Sequence, residues 1–148
     1  HFLAVKDLVL NEEPLAIFML ETNGTVLGHR PDLCARLARS AGGRSGRVQV
    51  RICVKGTSPD SFETVTGCHG AAFYLQLQAL QTLSGLGVSV RMAFMPELFA
   101  PADVEDLVCS TLADWGLARD YCEYEALERY PPVMRRLRQR GMEVEARV

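Results

Sequence analysis

Val48-Gln-Val-Arg-Ile-Cys-Val-Lys-Gly-Thr-Ser-Pro-Asp-Ser-Phe-Glu-Thr-Val-Thr-Gly67 is the stretch whose reading decides the fold. Val48, Val50, Ile52 and Val54 recur at period two with β-branched side chains. This spacing predicts a strand with one apolar face and with Gln49, Arg51, Cys53 and Lys55 on the other. Gly56 ends it. Ser58 is suited to cap a following helix, Pro59 fits its first position, and Asp60 and Glu63 favour its positive end. The stretch is therefore a βα unit. A sheet of such strands, closed into a barrel, would have a polar lumen and helices on its outer face.

The flanking sequence repeats the alternation. Upstream, Phe2 to Leu10 places Phe2, Val5, Leu8 and Val9 near one helical face, and Asn11-Glu-Glu-Pro14 stops it. Leu15-Ala-Ile-Phe-Met-Leu-Glu21 is a continuous apolar run of strand length, as expected for a parallel strand buried on both sides. Thr22-Asn23-Gly24 turns the chain, and Arg30-Pro31-Asp32 opens a helix through Ser40 with Leu33, Cys34 and Leu37 inward. Ala41-Gly-Gly-Arg-Ser-Gly46 reads as a flexible connection.

Downstream, Ala71 to Leu86 is the strongest helix pattern. Phe73, Leu77, Leu80 and Leu83 share its apolar stripe, Gln76, Gln78 and Gln81 lie elsewhere, and Gly85-Leu-Gly87 stops it. Val88 to Met95 is a third strand, closed by Pro96. A helix from Ala102-Asp103 to about Trp115 carries Val104, Leu107, Val108 and Leu112, and a last one covers Val133 to Arg140. Alternating strands and helices predict an α/β fold with a right-handed parallel array. Three strands are fewer than the eight of a closed barrel, so the expectation is a partial (β/α) barrel over residues 1–100 with a helical extension over 101–148.

Composition bounds the function classes. The chain has 148 residues, 48% hydrophobic and 23% charged, enough to bury one core. Its net charge of −2 argues against a general nucleic-acid surface. No apolar run reaches the roughly 20 residues of a membrane-spanning helix, and no signal-peptide pattern opens the sequence, so a cytoplasmic location is expected. The chain opens on His1 within a helix-like pattern, as expected for a piece of a longer protein. Cys34, Cys53, Cys68, Cys109 and Cys122 form no Cys-x-x-Cys pair and read as reduced thiols. His1, His29 and His69 have no metal-ligand spacing, and Trp115, Tyr121, Tyr124 and Tyr130 read as packing residues of a C-terminal lobe.

In parallel α/β folds the working face lies at the C-terminal ends of the strands. Here these ends are Glu21-Thr22-Asn23-Gly24, Lys55-Gly56-Thr57-Ser58 and Met95-Pro96-Glu97. Glu21, Arg51 and Arg91 form either an internal ion-pair network or an anion site. Lys55 favours the second, because it precedes a Gly-Thr-Ser whose amides and hydroxyls are placed to hold an oxyanion.

Three segments carry a resemblance to a known family. Leu20-Glu-Thr-Asn-Gly24 resembles the Thr-Asn-Gly segment after the third strand of radical S-adenosylmethionine enzymes. Arg51-Ile-Cys-Val-Lys-Gly-Thr-Ser-Pro-Asp-Ser-Phe-Glu-Thr-Val-Thr-Gly67 with Gln76-Leu-Gln-Ala-Leu80 resembles the fourth βα unit of an uncharacterised, largely archaeal and bacterial branch. Glu123-Tyr-Glu-Ala-Leu-Glu-Arg-Tyr-Pro-Pro-Val133, with Arg136-Leu and Gly141, is similar to that branch's C-terminal segment.

The resemblance implies an Fe-S oxidoreductase-like enzyme that binds S-adenosylmethionine beside a [4Fe-4S] cluster and cleaves it reductively to a 5′-deoxyadenosyl radical. By position at the strand ends, the cofactor falls to Asn23, Lys55, Thr57 and Ser58, with Lys55 on its carboxylate, and the substrate to Glu21, Arg51 and Arg91, the last of which could also meet the cofactor. The resemblance implies an electron donor such as a flavodoxin or ferredoxin, and no nucleic-acid or membrane partner is expected. The cluster motif Cys-x-x-x-Cys-x-x-Cys and the Gly-Gly-Glu-like segment are absent from this chain. The expectation is thus the C-terminal portion of such an enzyme, inactive alone and prone to self-association. The alternative is a non-catalytic α/β module that binds an anionic small molecule or a protein partner at its strand-end rim.

Overall fold

The computed structural model describes residues 2–13, 15–39, 46–114, 122–142 and 144. Expectations for His1, Ser40, the connection 41–45, Trp115 and Tyr121 lie outside the described residues, as does the side chain of Leu112. In chain order the elements are α1 (Phe2–Glu12), β1 (Phe18–Thr22), α2 (Thr25–His29), α3 (Pro31–Ala38), β2 (Val48–Cys53) and α4 (Pro59–Thr66). Then follow α5 (Phe73–Gly85), β3 (Ser89–Phe94), α6 (Pro101–Asp114), β4 (Cys122–Tyr124) and α7 (Pro131–Gln139). The strands form an open parallel sheet in the order β1-β2-β3-β4, with helices in the connections. The α/β reading holds at this level.

The chain divides into two compact units, one of residues 1–54 and 74–92, the other of residues 55–73 and 93–148. In the first unit β1 and β2 run parallel with Phe18 opposite Val48, Leu20 opposite Val50 and Thr22 opposite Ile52. The predicted alternation of β2 is present: Val48, Val50 and Ile52 are buried, and Gln49 and Arg51 are half-buried. Arg47 ties the start of β2 to the end of α1, donating to the carbonyls of Leu10 (3.1 Å), Glu13 (2.6 Å) and Ala16 (3.0 Å).

Three expectations in this unit are corrected. The buried stripe of α1 is Leu3, Lys6 and Leu10, while Val5 and Leu8 are 52% and 60% exposed. Lys6 disguises the stripe. Its ammonium is satisfied by the Arg36 carbonyl in the last turn of α3 (3.2 Å) and by Asp7 (3.0 Å), so a lysine occupies a core-facing position. Second, β1 is not buried on both sides: Met19 and Glu21 are exposed between half-buried Phe18, Leu20 and Thr22, and Ile17 just before the strand is 56% exposed, so one face of β1 meets solvent. Third, Gln76 is fully buried in α5 rather than lying on its polar side, beside Leu80 and Leu83.

α2 was not legible as a helix. It packs on α5 so closely that a Cβ on Gly28 would collide with the Leu75 carbonyl and sit 2.7 Å from its carbon. In the second unit Phe62, Phe94, Val104 and Val108 are buried. Here the amide of Glu125, next to β4, donates to the Phe94 carbonyl at 2.7 Å. Arg140, just past α7, donates to the Val65 carbonyl near the end of α4. Among the described residues no helix is long and apolar enough to cross a membrane.

Candidate functional site

The sequence-predicted residues fall into two groups, each within one unit. In the first unit Glu21 and Arg51 sit directly opposite each other on β1 and β2. Arg51 Nη1 donates to Glu21 Oε2 at 3.4 Å, and Cys53 Sγ donates to Glu21 Oε1 at 3.4 Å. One carboxylate therefore takes a cation and a thiol from alternate positions of the polar strand face. Arg91 is exposed on β3 between the buried Val90 and Met92. The Glu21–Arg51 pair is the ion-pair reading of this face, and at a solvent-accessible rim such a pair adds little stability.

Asn23 performs a local task. Its Oδ1 accepts from Thr25 N (3.2 Å) and Thr25 Oγ1 (3.0 Å), and Thr22 Oγ1 accepts from Gly24 N (3.2 Å). These bonds hold the entry to α2. Gly24 has φ +77°, and a Cβ there would lie 3.0 Å from Ile52 Cγ2 of β2, so the Thr-Asn-Gly turn needs its glycine twice over. With its oxygen committed, Asn23 offers a ligand the two donors of its Nδ2 amide.

The second unit holds the loop Lys55-Gly-Thr-Ser58. Gly56 passes so near α4 that a Cβ would be 2.7 Å from Phe62 N and 2.8 Å from Phe62 Cα. Ser58 caps α4 as expected, accepting from Ser61 N at 3.2 Å. The unforeseen residue is Ser61. Its Oγ accepts from the amides of Thr57 (2.8 Å) and Ser58 (2.9 Å) and donates to the Ser58 carbonyl at 3.1 Å. The two amides expected to cradle an oxyanion converge on a hydroxyl supplied by the chain itself. The Ser-x-x-Ser spacing is a variant of the capping box and was the available signal.

Beside this loop lies an open groove of about 580 Å³, lined by Thr57 and Ser58 and, from α6, by Asp103, Asp106, Leu107, Cys109 and Ser110. α6 turns Val104, Leu107 and Val108 inward and leaves Asp103, Asp106, Cys109 and Ser110 exposed. Two carboxylates and three hydroxyls suit a ligand rich in hydroxyl or amino groups. Lys55, half-buried at the head of the loop, is the cation of this unit's rim. A groove of this volume is of the size that holds small molecules. Among the described residues no three of His, Cys, Asp and Glu gather to hold a metal ion. A [4Fe-4S] cluster therefore does not fit the residues described here. Compared with family models, curated proteins and solved structures, the chain matches none.

Proposed function

We propose that this chain is the C-terminal portion of a radical S-adenosylmethionine enzyme, a piece of a partial (β/α) barrel that supplies cofactor and substrate contacts but not the cluster cysteines. The reading rests on the resemblance of the three segments. The observation that carries it is the groove that Thr57 and Ser58 form with α6, two residues past Lys55, in a parallel α/β sheet of sequential strand order. S-adenosylmethionine presents a carboxylate, an ammonium and two ribose hydroxyls, which match a cation beside a groove of carboxylates and hydroxyls. Beside a cluster held by other residues, such a cofactor would supply radical chemistry.

This chain's residues bind and orient. Lys55 holds the carboxylate, and Thr57 and Ser58 offer hydroxyls from the lip of the groove. Glu21, Arg51 and Arg91 take the substrate. An electron donor such as a flavodoxin or ferredoxin acts on the part of the enzyme that carries the cluster.

The test is calorimetric titration of S-adenosylmethionine into the wild-type chain and into Lys55→Ala. Loss of a charge-assisted contact, roughly 1.5–3 kcal/mol, weakens binding about tenfold or more. Equal affinity of the two proteins, or no binding by either, overturns the assignment.

A further inference from the structure

From Arg129 to Arg140 the sequence carries five arginines, no lysine and no acidic residue, against a chain whose net charge is −2. The structure places Arg135, Arg136 and Arg138 on the exposed surface of α7, with Arg129 and Arg140 exposed at its two ends. The apolar side of α7 is used internally, since Leu137 is 6% exposed. The helix thus has no apolar face left for a lipid surface.

One tyrosine accompanies the arginines. Tyr130, the residue before α7 and next in sequence to Arg129, is 60% exposed. A large ring left in solvent at the end of an arginine-bearing helix is a component of a surface that reads unpaired bases: arginines meet phosphates and rings stack on bases. Along the helix axis Tyr130 and Arg138 are about 12 Å apart, at about 1.5 Å per residue, a span of a few nucleotides. Arg138 Nε donates to the Met134 carbonyl at 3.3 Å, and Arg140 donates to Val65, which fixes these side chains while each keeps further N–H donors.

We infer that the α7 surface binds single-stranded RNA, with Arg135, Arg136 and Arg138 on the phosphates and Tyr130 stacked on a base. The inference is independent of the proposed cofactor chemistry. It also revises the expectation drawn from net charge, because a polyanion responds to the local field of one helix.

The experiment is fluorescence anisotropy of a short labelled oligouridylate titrated with the full chain over a series of salt concentrations. The wild type should bind with a slope of log K against log salt of about −2, roughly 0.7 for each of three phosphates. Arg135→Ala, Arg136→Ala and Arg138→Ala combined keep a helix-forming sequence and should weaken binding at least tenfold while flattening the slope. Tyr130→Ala should weaken it several-fold at unchanged slope. Equal binding by the triple variant, absence of binding at low salt, or equally tight binding of polyglutamate or of phosphatidylserine vesicles overturns the inference. The last two results assign the surface to an acidic protein or to a membrane instead.

Discussion

Ser61→Ala removes the hydroxyl on which the strand-end loop is folded. Ser61 Oγ accepts two backbone N–H bonds, from Thr57 at 2.8 Å and Ser58 at 2.9 Å, and closes the reciprocal cap of α4. The site is half-buried, so water reaches part of the vacated position and each lost bond is worth about 0.5–1.5 kcal/mol net. Alanine's better helix propensity returns a few tenths of a kcal/mol. The balance is a loss of about 1–2 kcal/mol, and at about 2–4 °C per kcal/mol for a chain of this size the Tm falls by roughly 2–8 °C. The variant also leaves two converging amides for an anion. Thermal melts in chloride and in phosphate read both effects: the Tm deficit should be smaller in phosphate. An unchanged Tm in chloride refutes the account of the loop, and a deficit identical in the two buffers refutes its anion-binding corollary.

Gly56→Ala drives a methyl group into the Phe62 backbone and should cost about 1–3 kcal/mol in a urea melt, whereas Gly85→Ala, with nothing within 4 Å, should be neutral or stabilising. Cys68 and Cys109 are exposed and should react with a thiol reagent in the native protein, while Cys34, fully buried, should react only on unfolding. Burial pushes the Cys34 and Cys122 thiols up, so their contribution is complete below the unfolded cysteine pKa near 8.5 and is lost as pH rises through the folded values. The midpoint of a urea melt should accordingly fall on the alkaline side. Exposed Ile17 and Met19 at the sheet's edge predict self-association at micromolar concentration, which light scattering checks; Met19→Lys should reduce it.

The central βα unit was legible because two local codes agree in it: β-branched alternation through Val48 to Val54, then Ser58-Pro59 at a helix start. The α1 stripe was not, since reading Lys6 as polar hides that its long chain is satisfied by a helix carbonyl. β4 has three residues, too few for a period to register, and α2 has five. The strand-end residues could be named from the positions where strands stop. The groove could not, because it joins Thr57 and Ser58 to α6 residues more than forty positions away, and no local pattern reports that proximity. Ser61 lay within the signature stretch but reads as an ordinary first-turn serine until the Thr57 and Ser58 amides are seen to converge on it.

The central claim is a division of labour, with cofactor contacts on this chain and cluster ligands elsewhere. Anaerobic reconstitution with iron and sulfide, followed by iron analysis and visible absorbance, tests it directly. The proposed function predicts no stoichiometric cluster on this chain, and a cluster together with release of 5′-deoxyadenosine from any longer polypeptide in which a three-cysteine motif precedes it. A full cluster on this chain alone, or a longer polypeptide that takes up no iron, would contradict it.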